Sequence, residues 1–255
     1  MASMPSHGRA DEKDESLESS KKFQKTEKED YGYYFYPERS DYKEVQSFWA
    51  SIWGRPGAQT FNCEANVTWC IKNHPMVKLL VRALKSHGCE VNLRRHISCE
   101  SCLEKVNGGF DPSTNQVVVC QNNVTRRSVC CNVLAHEFVH AFDSCRAKVD
   151  FKDLRHLACT EIRAANLMHC SFLAAVASGD ASPINIKQRH ANCVKSKAIQ
   201  SVLMVRNVPV QEAKEIVDSV FDKCYNDLEP VGRQCRKNSR DADRALIEGQ
   251  FYGYS

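Results

Sequence analysis

His136-Glu137-Phe138-Val139-His140 constrains this chain more than any other five residues. Two histidines four apart are neighbours on one face of a helix, so both imidazoles can meet a single metal ion only if the segment is helical. Glu137 then falls beside the metal. It is poorly placed there to be a ligand and well placed to accept a proton from water attacking a peptide carbonyl. Three specified positions in five also occur by chance, so the surroundings must carry part of the argument. Val133, Leu134, Phe138, Val139 and Phe142 give the stretch from about Ser128 to Arg146 an apolar stripe at helical spacing, which predicts a helix packed on a core.

Catalytic zinc usually keeps three protein ligands and one open position, so a third ligand is needed. Glu161 is the preferred one. It lies in Ala158-Cys159-Thr160-Glu161-Ile162-Arg163-Ala164-Ala165-Asn166, a good helix former whose alanines would let two helices approach closely. A glutamate from a following helix is the gluzincin arrangement. Asp143, one turn after His140, is the rival, unless it holds a ligand imidazole by its other nitrogen or is simply a polar residue on a helix flank.

Fourteen cysteines in 255 residues is the second strong signal. In an oxidising compartment such a number builds a disulfide framework, and in a reducing one it suggests metal sites. Cys99-Glu100-Ser101-Cys102 is the sole pair with a two-residue gap, which argues against a structural zinc site. Cys89 and Cys99, like Cys120 and Cys130, are separated by nine residues, the spacing of the helical twin motif in disulfide-relay substrates. Val117 to Cys120 reads as a strand, however, and that motif belongs on helical hairpins. Cys130, Cys131 and Cys145 lie around the first candidate metal helix and Cys159 and Cys170 around the second, where bridges would fix their orientation. The pairing itself cannot be read from sequence.

Residues 1 to about 30 mix acids, lysines and serines with almost no large apolar side chains, which predicts disorder. They lack the apolar centre of a secretory signal and carry too many acids for a matrix presequence. The net charge of +4 is diffuse, and the doublets Arg94-Arg95 and Arg126-Arg127 are too short to argue for nucleic acid. The most apolar run, Leu167 to Ser178, is about 12 residues where a membrane span needs about 20.

The rest of the chain, about 31 to 240, reads as one α+β domain with a short C-terminal tail, 241 to 255. Tyr31 to Tyr36 with Phe48, Trp49, Ile52 and Trp53 form an aromatic cluster that would dock on this domain. Val77 to His87 is an amphipathic helix capped at Gly88. Gly108 to Asn115 is rich in turn residues and leads into a strand, Gln116 to Gln121. If that strand lies at a sheet edge, its main chain can pair with an extended polypeptide. Helices at about 187 to 206 and 209 to 225 follow.

His136 to Arg146 and Leu154 to Asn166, preceded by Gly108-Gly109-Phe110-Asp111 and Val117 to Asn123, resemble the mitochondrial inner-membrane metalloprotease family that processes subunit 6 of the ATP synthase. The likeness extends from about Pro75 to Gly232, through Val77-Lys78-Leu79-Leu80, Ser98 to Cys102 and Asn226-Asp227-Leu228-Glu229-Pro230. The resemblance implies a zincin-like fold with a small sheet and active-site helices. It also implies a zinc endopeptidase of the intermembrane space, peripheral on the inner membrane, which aids assembly of the synthase's membrane sector. The substrate would be a polypeptide of that sector, and import would run through a disulfide relay. Carried onto this sequence, the metal ligands are His136, His140 and Glu161, with Glu137 as the catalytic base. A disulfide-stapled assembly factor whose binding role outweighs its chemistry is the alternative.

Overall fold

The computed structural model describes residues 56–103, 106–170, 186–236 and 239–255. The segment 1 to about 30, the aromatic cluster from Tyr31 to Trp53 and the apolar run beyond Cys170 lie outside the described residues. In chain order the elements are α1 (Pro56–Asn73), α2 (Pro75–Ser86), the single turn α3 (Leu93–His96), β1 (Ile97–Glu100), β2 (Gly108–Asp111) and β3 (Gln116–Cys120). They continue with α4 (Arg127–Arg146), α5 (Leu154–Ala164) and its π-helical turn Ala165–His169, α6 (Ile186–Val205), α7 (Val210–Tyr225) and α8 (Asp241–Gly249). This is the α+β class that the sequence implies.

Local chemistry accounts for the element ends. Pro75 starts α2, where its missing N–H costs nothing, and Gly88 ends it with φ +85, a conformation a Cβ disfavours. The Cys89 amide closes that cap on the Leu84 carbonyl at 2.9 Å. Asp153 caps α5 by accepting from the Arg155 amide at 2.7 Å.

The sheet has the order β1-β3-β2, with β1 parallel to β3 and β2 antiparallel to it. The strand before the metal-binding helix could be an exposed edge or an ordinary buried strand, and it is the buried one. β3 is paired on both sides and buried from Val117 to Cys120, so it is the middle strand. The edge beside α4 belongs to β2, whose two glycines read as a turn in the sequence. Gly108 is a strand residue because β2 runs close to α4: a Cβ there would lie 2.5 Å from Val133 Cγ1 and 2.6 Å from the Val118 carbonyl oxygen. The turn comes later. Asp111 accepts the Ser113 amide at 2.9 Å, and Asn115 takes up φ 52.

Two apolar clusters flank α4 and α5. One joins α2, the sheet and α4 through Leu79, Leu80, Val117, Leu134, Phe138 and Phe142. The other joins α5, α6 and α7 through Ala158, Ile162, Val194, Val202, Val217 and Phe221. The last stretch, set apart in the sequence as a tail, carries α8, and Ala245 and Tyr254 are buried in the first cluster.

Six disulfides tie these pieces together: Cys63–Cys99, Cys70–Cys131, Cys89–Cys145, Cys102–Cys120, Cys159–Cys224 and Cys170–Cys193. Cys130 and Cys235 are free. Cys130 therefore does not brace α4. Its neighbour Cys131 does so, while burial pushes the Cys130 thiol up to about 11. The two cysteines of the two-residue-gap pair go to different partners, and no nine-residue pair forms a twin hairpin. Alkylation of the denatured, unreduced protein should tag two thiols, and alkylation after reduction fourteen. Intact-mass measurement reads both numbers, and a count far above two before reduction would contradict the bridging.

Candidate metal centre

His136 and His140 project from one face of α4, and α5 crosses it so that Glu161 meets them. The two Nε2 atoms are 3.1 Å apart. Glu161 Oε1 lies 3.5 Å from His140 Nε2, and Oε2 lies 3.7 Å from His136 Nε2. Among the described residues these three side chains form the group whose donor atoms could share one metal ion. In four-coordinate zinc, with bonds of about 2.0–2.2 Å, adjacent N and O donors stand about 3.2–3.6 Å apart, and the cluster matches that scale. A second observation agrees with the fit: Glu161 Oε2 is buried with no hydrogen-bond partner among the described residues. A buried carboxylate oxygen without a donor is costly, and a cation between the imidazoles would satisfy it.

Protonation suits the same reading. Burial, reinforced by the neighbouring imidazoles, holds His136 well below the ordinary histidine range and brings His140 to about 3, so both nitrogens keep their lone pairs at neutral pH. Burial pushes Glu161 up to about 7, while a hydrogen bond from the Ser201 hydroxyl acts in the opposite direction.

Glu137 sits on the flank of α4 that faces β2, only 6 % exposed. Burial and then the nearby Glu161 carboxylate raise it well above the usual range, and the Phe110 backbone amide hydrogen-bonds it. A carboxyl tuned upward in this way can take and release a proton near neutral pH. It opens into a cleft with the three clustered side chains. Gly108, Gly109 and Phe110 of β2 line it, and Phe151, Leu157 and Met204 add an apolar lining that Phe110 meets through its ring contact with Phe151.

Asp143 points elsewhere. Its oxygens accept from Thr160 Oγ1 at 2.8 Å, Arg163 Nε at 2.9 Å and Arg146 Nε at 3.0 Å. It reaches His140 only through Thr160, on the side of the ring away from Glu161. Arg163, 1 % exposed, also donates to the Asp227 and Glu229 carbonyls, so the loop after α7 is pinned to the same network. Thr160, Arg163 and His169 were not singled out as site residues in the sequence. Their only local signal is position: Thr160 and Arg163 flank Glu161, and His169 follows on the same helical run.

The Peptidase M76 family matches residues 61–232. The chain is 42% identical over 224 residues to the mitochondrial inner membrane protease ATP23 homolog of Danio rerio, covering 85% of this chain and 84% of that one. It is 47% identical over 180 residues to the Homo sapiens protein of the same name, covering 67% and 69%. The mitochondrial inner membrane protease ATP23 of Yarrowia lipolytica is 33% identical over 175 residues, 68% of each chain. No solved structure matches this chain. Because the family match spans the sheet, α4 and α5, and the relatives align over two thirds or more of the sequence, this chain belongs to the Peptidase M76 family and is a metallopeptidase.

Proposed function

We propose that the chain is a zinc endopeptidase in which His136, His140 and Glu161 hold the metal and Glu137 is the general base. One observation carries this reading above the others: the buried Glu161 carboxylate, whose Oε2 has no hydrogen-bond partner among the described residues, faces two neutral imidazoles, with Glu137 in the same cleft. Two imidazoles and one carboxylate, with a side open to a cleft, is the donor set of catalytic zinc. Bound there, the metal would act as a Lewis acid on the scissile carbonyl and make water more acidic. Glu137 accepts the proton from the attacking water and delivers it to the leaving amine, while the Phe110 amide anchors its carboxyl against β2. The free side of β2 offers main-chain groups to an extended polypeptide, and the apolar lining of Phe151, Leu157 and Met204 suits an apolar substrate side chain.

The relatives are named as proteases of the mitochondrial inner membrane, and six disulfides suit the oxidising intermembrane space. Among the described residues no helix is long and apolar enough to cross a membrane. We place the protein peripherally on that membrane, imported by a disulfide relay. Its substrate is the precursor of ATP synthase subunit 6, the one the sequence resemblance implies, together with a role in assembling the synthase.

The ligand assignment has a direct test. Glu161→Ala should lose zinc as completely as His140→Ala, whereas Asp143→Asn should keep close to one equivalent, measured by metal analysis after dialysis. Loss of metal in the Asp143 variant alone would transfer the third ligand to Asp143.

A further inference from the structure

Each imidazole of the cluster turns Nε2 inward and has its Nδ1 committed to a neighbour. His140 Nδ1 lies 2.8 Å from Thr160 Oγ1, and Thr160 Oγ1 donates to Asp143 Oδ2 at 2.8 Å. A hydroxyl has one proton to give. Since the carboxylate takes it, Thr160 can only accept from His140, which makes His140 the Nδ1–H tautomer with a bare Nε2. Asp143 cannot turn away, because Arg163 Nε reaches its two oxygens at 2.9 and 3.0 Å and Arg146 adds another bond.

His136 is held from a different element. Its Nδ1 is 2.9 Å from His169 Nε2. His169 is the last residue of the π turn Ala165–His169, where the Cys170 amide closes on the Ala165 carbonyl at 2.9 Å, five residues back. Single π turns of this kind often occur at functional sites. On the ligand reading a neutral His136 offers its Nε2 lone pair to the metal and carries its proton on Nδ1, so His169 Nε2 is the acceptor of this bond. Both holding residues stand next to a disulfide. Cys159 precedes Thr160 and bridges to α7, and Cys170 follows His169 and bridges to α6.

We propose that Thr160 and His169 are the positioning residues of the metal centre: each accepts the Nδ1–H of one ligand imidazole, holding both Nε2 lone pairs toward Glu161. Neither belongs to the donor cluster or to the lining of the cleft. The proposal rests on the reading of His136, His140 and Glu161 as ligands. The flanking bridges would then serve metal retention by fixing these two residues on α7 and α6.

The test is the zinc affinity of the purified full chain, measured by competition with a chromophoric chelator, together with the melting temperature of the metal-free protein. Thr160→Val keeps the shape and removes the hydroxyl, and His169→Phe keeps a ring and removes the acceptor. Each should weaken zinc binding about 10–100-fold with the fold retained. Thr160→Ser and His169→Gln keep an acceptor and should stay within about threefold of the unaltered protein. Unaltered affinity in both Thr160→Val and His169→Phe overturns the proposal. So does equal weakening in Thr160→Val and Thr160→Ser, which would assign the effect to packing. If Thr160→Val does not fold, the exposed His169 pair decides alone. An unaltered chain that takes up no zinc would instead overturn the ligand reading beneath the proposal.

Discussion

Glu137→Gln is expected to lower peptide hydrolysis about 10²–10⁴-fold while leaving one zinc per chain and an unchanged or slightly higher melting temperature. The glutamine fits the same buried space, and its carbonyl can still accept the Phe110 amide. What disappears is the proton acceptor. The fold should not suffer, because the wild-type carboxyl is held against its preference by burial and by the nearby Glu161. Zinc analysis and cleavage of an unstructured peptide with an apolar residue near the scissile bond check both halves. Activity close to wild type would remove Glu137 from the chemistry. The same variant separates the two roles proposed for the chain: synthase assembly that survives without cleavage shows that binding alone supports it.

Reduction of the disulfides should abolish activity and lower the melting temperature together, although no thiol takes part in the chemistry. Cys70–Cys131 and Cys89–Cys145 fasten α4 near its two ends, while Cys159–Cys224 and Cys170–Cys193 fasten α5 and its π turn. The metal cluster spans these two elements, so any relative shift of them spreads the donors. Losing a bridge of this kind typically costs about 2–5 kcal/mol, against a total stability of about 5–15 kcal/mol. For a chain of this size that is a fall of at least about 4 °C per bridge lost. A phosphine is the reductant of choice, because a dithiol would remove zinc by itself. Full activity and an unchanged melting temperature in verified reduced protein would show that the bridges are not structural.

What was legible in the sequence follows the range of the interactions. α4 and the approximate ends of α2, α6 and α7 were visible because apolar spacing and Gly88 are local signals. The face shared by His136 and His140 follows from their separation alone. The choice between Glu161 and Asp143 did not, since it depends on how α5 crosses α4. In the structure Arg163 and Arg146 engage Asp143 and leave Glu161 facing the imidazoles. β2 was hidden for a different reason: Gly108 and Gly109 are turn residues by composition, and only the close approach of Val133 and β3 explains their place in a strand. With β2 unread, nothing in the sequence tells whether β3 is an edge or an interior strand. Disulfide pairing is non-local throughout, and nothing in the adjacent pair Cys130-Cys131 tells which thiol faces α1.

X-ray absorption at the zinc edge, on the purified and oxidised chain, tests the central claim most directly. The account predicts one zinc per chain, with two imidazole nitrogens and a carboxylate oxygen at about 2.0–2.2 Å and no sulfur neighbour. Sulfur scattering at about 2.3 Å would mean that cysteines hold the metal, and would contradict both the ligand assignment and the structural role of the bridges.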